Sequence, residues 1–298
     1  MTAMKTTAIR LVVLLVLQLL WLEQSYAADR PNPRFDEELS KQEQLFRSRG
    51  EQRPEGYVID RSLLSYIYTL SSAFDRSLAN LGPKDRWLDI GAGRGQAILD
   101  YFAGRFDAMH ADQYERHDGK AQAVAISIED RRTALWHQAV ASLGPHRIRY
   151  LSGRRLREYS SEELGKFQLI TDVVGGFSYS LNLSLFMEKV LGFLELNGSF
   201  YTVLQDVHSE DGTNKPYYEG SPFLTEIANA DGSEVRVCSW LKKITCVEVT
   251  CESKMDWKPL IETFHIRKVC NDVTVPALAT VRFEAGTPPE RGFQLKNK

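Results

Sequence analysis

Three glycines and one carboxylate within nine residues are the sharpest chemical signal in this chain. The segment Trp87-Leu88-Asp89-Ile90-Gly91-Ala92-Gly93-Arg94-Gly95 reads as a short apolar strand, Arg86 to Ile90, that runs into Gly91, Gly93 and Gly95 and then into a helix opening at Gln96. Backbone that turns this sharply and approaches a ligand without an intervening Cβ needs glycine on both counts. Amides at the start of the helix face the polar or anionic groups of whatever is bound. Dinucleotide loops of the GxGxxG kind would need glycine at position 96, so Gln96 disfavours NAD or FAD and a Rossmann oxidoreductase.

The other candidates for chemistry follow further along. Glu129 and Asp130 come directly after an apolar run, and Asp172 and Gly175 stand at the end of another. Candidate bases are Tyr179, after that second run, and His208, Glu210 and Asp211 downstream, each of which also reads as an exposed loop residue. None of the four cysteines lies at a strand end near these groups, which leaves a covalent thiol mechanism without support. With no CxxC pair, a zinc site is not expected.

The elements that would position these residues alternate. Strands are expected over Arg86 to Ile90, Ala123 to Ile128, Arg147 to Leu151, Phe167 to Val174 and Ser199 to Leu204, and helices over Gln96 to Phe106, Arg131 to Leu143 and Leu185 to Leu196. Short apolar strands separated by amphipathic helices imply a parallel sheet covered on both faces, and right-handed crossovers make it doubly wound. Upstream, Leu63, Leu64, Ile67, Leu70, Phe74 and Leu78 form one apolar stripe, a helix over Tyr57 to Leu81 that ends at Gly82-Pro83. Beyond Gln205 the alternation breaks into a polar loop and two β-rich runs, Glu234 to Leu241 and Ile244 to Glu252. A helix near Trp257 to Phe264 and strands over Ile266 to Val275 and Leu278 to Glu284 follow. The expectation is an α/β fold with a doubly wound, mostly parallel seven-stranded sheet, helices on both faces, an antiparallel C-terminal edge and a β-rich insertion.

A hydrophobic-Asp-hydrophobic-Gly-x-Gly-x-Gly segment on a first strand and helix resembles the motif of the class I S-adenosylmethionine-dependent methyltransferases, and the resemblance covers roughly Arg86 to Leu204. It implies that Gly91, Gly93 and Gly95 wrap the methionine part of the cofactor, and that Asp89 orients the loop and the cofactor's amino group. The family places an acid at the end of its second strand, where a carboxylate accepts the ribose hydroxyls; Glu129, or next to it Asp130, fills that place. Asp130 also suits a helix start. The interval from Gly95 to Glu129 is longer than usual, with Asp107 to Lys120 as an inserted polar loop. Asp172 and Gly175 resemble the landmark beside the methyl-bearing end of the cofactor. Two departures stand out. After strand three the chain reads Leu151-Ser152-Gly153-Arg154-Arg155 where an acid or amide often meets adenine, and strand four lacks the Asn-Pro-Pro-Tyr or Asp-Pro-Pro-Tyr of nucleobase amine methylation. Arg147, Arg149, Arg154, Arg155 and Arg157 form a basic cluster, either a contact for an anionic substrate or, first, a solvated strand end and helix face.

Composition bounds the rest. The 298 residues, 43% hydrophobic and 26% charged, suffice for one main α/β core with an appendage. A formal charge of −2 with mixed signs gives no field to hold a polyanion, so nucleic acid is not the expected partner and a small-molecule substrate is. Lys5 and Arg10 precede the apolar run Leu11 to Leu17, continued through Leu22, and Ser25-Tyr26-Ala27 supplies small residues for cleavage. Residues 1–27 read as a signal peptide that sends the chain out of the cytosol, since the run is shorter than the roughly 20 residues a membrane span needs. The alternative is an uncleaved segment acting as an anchor. Residues 28–56 form a polar leader, 57–286 the methyltransferase-like domain with its insertion at about 207–253, and 287–298 a polar tail. Cys238, Cys246, Cys251 and Cys270 permit disulfides in an exported chain. A turn at Leu241-Lys242-Lys243 would pair Cys238 with Cys246 and leave Cys251 for Cys270, one of three connectivities; reduced, buried cysteines are the other reading. Two functions remain open: a methyltransferase acting on a small O or N acceptor, and a secreted, non-catalytic binding module that kept the fold.

Overall fold

Strand β1, Arg86–Ile90, buries Trp87 and Asp89 on one face and Leu88 and Ile90 on the other, the mark of a strand covered on both sides. Around it a computed structural model describes residues 61–104, 119–205, 224–254, 261–284 and 290–296. The main sheet has seven strands: β1, β2 (Gln122–Ser127), β3 (Ile148–Ser152), β4 (Phe167–Asp172), β5 (Leu194–Gln205), β8 (Val247–Lys254) and β9 (Ile261–Lys268). Their order is β3-β2-β1-β4-β5-β9-β8, parallel through β5, with β9 antiparallel to β5 and to β8. This is the expected doubly wound sheet with an antiparallel edge, but the edge is made by β9 and β8, and the strand expected over Leu278 to Glu284 belongs to a second sheet. The order reverses between β1 and β4, so their carboxyl ends form the switch point at which such sheets take ligands.

Helices α1 (Leu63–Thr69), α2 (Phe74–Ala79), α3 (Gln96–Ala103) and α4 (Ala134–Leu143) cover one face, where Tyr66, Phe74, Ile98, Tyr101 and Trp136 pack on Trp87, Ala123 and Leu169. Below the other face lie α5 (Ser161–Leu164), the short α6 (Gly176–Tyr179), α7 (Leu183–Phe193) and α8 (Val237–Leu241), whose Phe177, Met187, Val190 and Trp240 join Leu88, Ile126, Ile170 and Phe200 in a second cluster. A four-stranded sheet adds to this side, in the order β10 (Leu278–Glu284), β11 (Glu290–Leu295), β6 (Leu224–Ala228), β7 (Glu234–Val235), with Ile227, Val235, Leu278 and Phe293 reaching the same core.

Several local expectations are overturned. The leading helix is two helices, because Glu252 of β8 accepts bonds from Ser71 Oγ (2.7 Å) and the Ser72 amide (3.1 Å) and so satisfies groups that a continuous helix would bond internally. The helix expected from Arg131 begins at Ala134, after Thr133 caps the Trp136 amide; Asp130 is therefore no N-cap. Glu234 to Leu241 is mostly helix, and of the helix expected near Trp257 to Phe264 the described part, Ile261 onward, is β9, which is hydrogen-bonded on both sides; residues 257–260 lie outside the described residues. Residues 290–295 of the expected polar tail form β11, an interior strand of the second sheet, and β8, at the end of the expected insertion, belongs to the main sheet.

The cysteines pair as Cys238–Cys251 and Cys246–Cys270. Cys238 sits on a helix instead of a strand, so no hairpin sets it opposite Cys246, and it faces β8. The bridges, separated by 13 and 24 residues in sequence, each remove about 3 kcal/mol of unfolded-chain entropy. Among the described residues no helix is long and apolar enough to cross a membrane; residues 1–27, the leader, His208, Glu210, Asp211 and most of the Asp107 to Lys120 loop lie outside them.

Candidate functional site

The glycine loop is built from left-handed backbone. Gly91, Gly93 and Gly95 have φ of +73°, +57° and +76°, values that cost any other L-residue about 1–2 kcal/mol. The amides of Gly91 and Ala92 both donate to the Ile126 carbonyl of β2 (2.9 and 3.0 Å), which pins the loop to the neighbouring strand. Two of the glycines are also required by contact. A Cβ on Gly91 would stand 2.8 Å from the Cα of Gly175, and one on Gly95 would stand 2.3 Å from Cζ3 of the buried Trp136. The loops after β1 and β4 therefore touch backbone to backbone across the switch point.

Asp89 is wholly buried under this loop, on the side of α1. The Tyr66 hydroxyl lies 3.0 Å from each of its oxygens, Thr171 Oγ1 donates to Oδ1 at 2.7 Å, and Trp87 Nε1 donates to that same Thr171 oxygen at 2.8 Å. Burial pushes the Asp89 carboxyl up to about 7, against the pull of the Thr171 and Tyr66 hydrogen bonds, and burial also lifts the Tyr66 phenol far above its ordinary range. Asp89 thus joins β1, β4 and α1 beneath the loop.

At the carboxyl end of β2, Glu129 pairs with Arg131 at 2.7 Å and keeps 29% of its side chain exposed. Asp130 is gripped in a fork by Arg132 (2.9 and 2.6 Å), a hydrogen bond that holds its carboxyl below the usual range. Both acids expected near a ribose thus already face arginines, with Glu129 the nearer to the loop through Tyr150 of β3. The Tyr150 hydroxyl lies 2.6 Å from the Gly93 carbonyl and 3.1 Å from that of Glu129, and accepts the Arg131 amide at 3.2 Å. Trp136 packs edge-on against its ring, with centroids 5.2 Å apart. If Tyr150 sets the spacing between loop and acid, Tyr150→Phe should leave the melting temperature within a few degrees of wild type. It should also weaken S-adenosylhomocysteine about five- to tenfold, the worth of one neutral hydrogen bond; calorimetry reads both quantities, and unchanged affinity refutes the bridge.

Asp172 closes β4 on the opposite face. Its carboxylate accepts the amides of Gly175 (2.9 Å) and Phe177 (3.0 Å), which starts α6, and burial raises its pKa to about 7 against those bonds and the nearby Arg291 charge. Gly175 cannot be replaced without a clash, its Cβ falling 2.7 Å from the Ile90 carbonyl. Between them Val174 has φ +56°, a strained conformation for a β-branched residue, of the kind that clusters at ligand sites. Tyr179, the last residue of α6, is half-buried.

Two arginines of the basic cluster are engaged within the fold. Arg154 forms an ion pair with Glu163 and lies 4.0 Å over the Tyr159 ring, while Arg147 donates to the Gly119 carbonyl at 2.5 Å and lies over Phe102. Those two arginines serve internal contacts instead of a solvated face. Tyr66, Thr171, Trp136, Tyr150 and Arg291 were not legible as site residues, because nothing local in the sequence distinguishes a tyrosine that braces a loop from one that fills a core.

No family model matches the chain, and no curated protein does. Among solved structures it is similar to an rRNA methylase from Streptococcus thermophilus (12% identity over 66% of this chain and 94% of that one, TM-score 0.40). It is also similar to the N-methyltransferase NodS from Bradyrhizobium japonicum WM9 (12%, 65% and 92%, TM-score 0.40). A third is a possible exported protein from Bordetella parapertussis (13%, 67% and 67%, TM-score 0.42).

Proposed function

We propose, from a doubly wound sheet of the class I methyltransferase type, that this protein binds S-adenosylmethionine and transfers its methyl group to an oxygen or nitrogen of a small molecule. The observation that carries the reading is the loop Gly91 to Gly95, three left-handed glycines at the switch point of a β3-β2-β1-β4-β5-β9-β8 sheet. The residues present suit the cofactor: a loop without side chains for the methionine part, and beside it a half-open carboxylate, Glu129, for the ribose hydroxyls. When bound, the cofactor supplies an electrophilic methyl on a sulfonium. The chain's own task is positioning, the main requirement of an in-line displacement. Gly91 and Gly175 hold the loops after β1 and β4 together at the switch point, and Tyr179 or His208 would take the proton from an acceptor that carries one.

The cysteine bridges support an exported protein, since disulfides persist in oxidising compartments, and they agree with the signal-like segment over residues 1–27. One observation favours the second reading, a secreted non-catalytic module: Arg131 and Arg132 already neutralise the two acids that would clamp a ribose. Calorimetric titration of S-adenosylmethionine and S-adenosylhomocysteine into the disulfide-intact protein separates the two. Micromolar binding, about −8 kcal/mol, that is lost in Glu129→Ala and in Asp89→Ala is expected. A folded protein that binds neither compound would leave the non-catalytic module as the better account.

A further inference from the structure

The second sheet sends one charged side chain to the edge of this site. Arg291 of β11 is fully buried, and its guanidinium donates from Nε to Thr225 Oγ1 (2.8 Å), from Nη1 to the Ser180 carbonyl (2.7 Å) and from Nη2 to the Phe177 carbonyl (2.6 Å). These carbonyls belong to the C-terminal end of α6, whose N-terminal amides are bound by Asp172. A four-residue helix is therefore held by a carboxylate at its positive end and a guanidinium at its negative end, the polarity that stabilises helix termini. The same segment begins at Gly175, whose backbone abuts Gly91. Sealing an arginine inside a core is costly unless its geometry is used, and here a planar fork holds two carbonyls and a hydroxyl at once.

We propose that Arg291 is a positioning residue that sets the segment Gly175 to Tyr179 against the glycine loop, so that the second sheet governs cofactor affinity without touching the cofactor. The inference rests on the S-adenosylmethionine reading of that loop. Groups facing Asp172 are the α6 amides, Arg291 from β11, and across the sheet Asp89 of β1 and Tyr66 of α1. Of these charges Arg291 is the one that favours ionised Asp172, and the ionised form is the stronger acceptor for the Gly175 and Phe177 amides. Without the guanidinium Asp172 takes up its proton at higher pH, and its hold on the Gly175 and Phe177 amides loosens there.

The experiment compares the full chain with Arg291→Gln and Arg291→Lys, by titrating S-adenosylhomocysteine between about pH 5.5 and 8.5 and following amide exchange over residues 175–180. Arg291→Gln should weaken binding about tenfold or more at neutral pH, as loss of charge-assisted hydrogen bonds does. It should also move the pH at which affinity falls upward and speed exchange at Gly175 and Phe177, with Arg291→Lys in between. Wild-type affinity, pH profile and protection in a folded Arg291→Gln would overturn the proposal. If that variant does not fold, Thr225→Val, which removes the Nε acceptor and leaves the guanidinium, should give the same changes at smaller amplitude, and none would overturn it. Failure of the wild type to bind refutes the cofactor reading alone, and unaltered exchange in the variants then refutes the role of Arg291.

Discussion

Gly95→Ala should abolish measurable binding of S-adenosylhomocysteine and lower unfolding free energy by roughly 2–4 kcal/mol, about 1 from the left-handed backbone and the rest from overpacking. The new methyl would stand 2.3 and 2.8 Å from Cζ3 and Cε3 of Trp136, a ring 1% exposed that has nowhere to go. The loop must shift toward the cleft, or the indole must leave its contact with Tyr150 and disturb the bridge to Glu129. Gly153→Ala is the control. Its φ is +81° and nothing lies within 4 Å of the added carbon, so only the backbone cost of about 1 kcal/mol applies, with affinity unchanged. Denaturant unfolding and calorimetric titration of both variants read the comparison. Equal losses in the two would mean that the Trp136 contact is not what requires glycine at 95.

The second large effect is on pH. Asp89 and Asp172 both have pKa values raised by burial from 3.8 to about 7. A carboxyl that is harder to ionise in the folded state than in the unfolded one stabilises the fold in its protonated form. The contribution is complete below about pH 4 and is lost as pH rises through about 7, amounting to at most roughly 4 kcal/mol per group. His265 works in the opposite sense, because burial lowers its pKa and folding is penalised as it protonates. Difference measurements isolate one carboxyl. Asp89→Asn keeps the shape and the acceptor for Tyr66 and cannot titrate, so its stability should depend less on pH than wild type between about pH 4 and 7, by up to one proton's worth of slope. Curves that run parallel across that range would show that Asp89 is ionised in the folded protein, held there by Tyr66 and Thr171.

Much of the main sheet was legible before any coordinates, because its determinants are local. Trp87, Leu88 and Ile90 form a short apolar run bounded by Lys84-Asp85 and by glycines, and no other element satisfies both that composition and the turn at Gly91. The left-handed conformations at 91, 93 and 95 could be read from residue type, since glycine alone adopts them without penalty. The misread elements share a different cause. Arg291 made β11 look like a polar tail, and the carbonyls of Phe177 and Ser180, more than a hundred positions away in sequence, together with Thr225 Oγ1 make burial of that charge tolerable. Glu252 breaks the leading helix from 180 residues away, and the cysteine pairing changed once Val237–Leu241 proved to be a helix. The sequence alone therefore determined the glycine loop, the parallel half of the sheet and the order of its acids, all set by backbone conformation and hydrophobic period over a few residues. Tertiary structure decided what those acids face: Asp89 turns to Tyr66 and Thr171, Asp172 to the amides of α6, and Glu129 to Arg131, because the direction and partners of a side chain depend on which distant segment is packed against it.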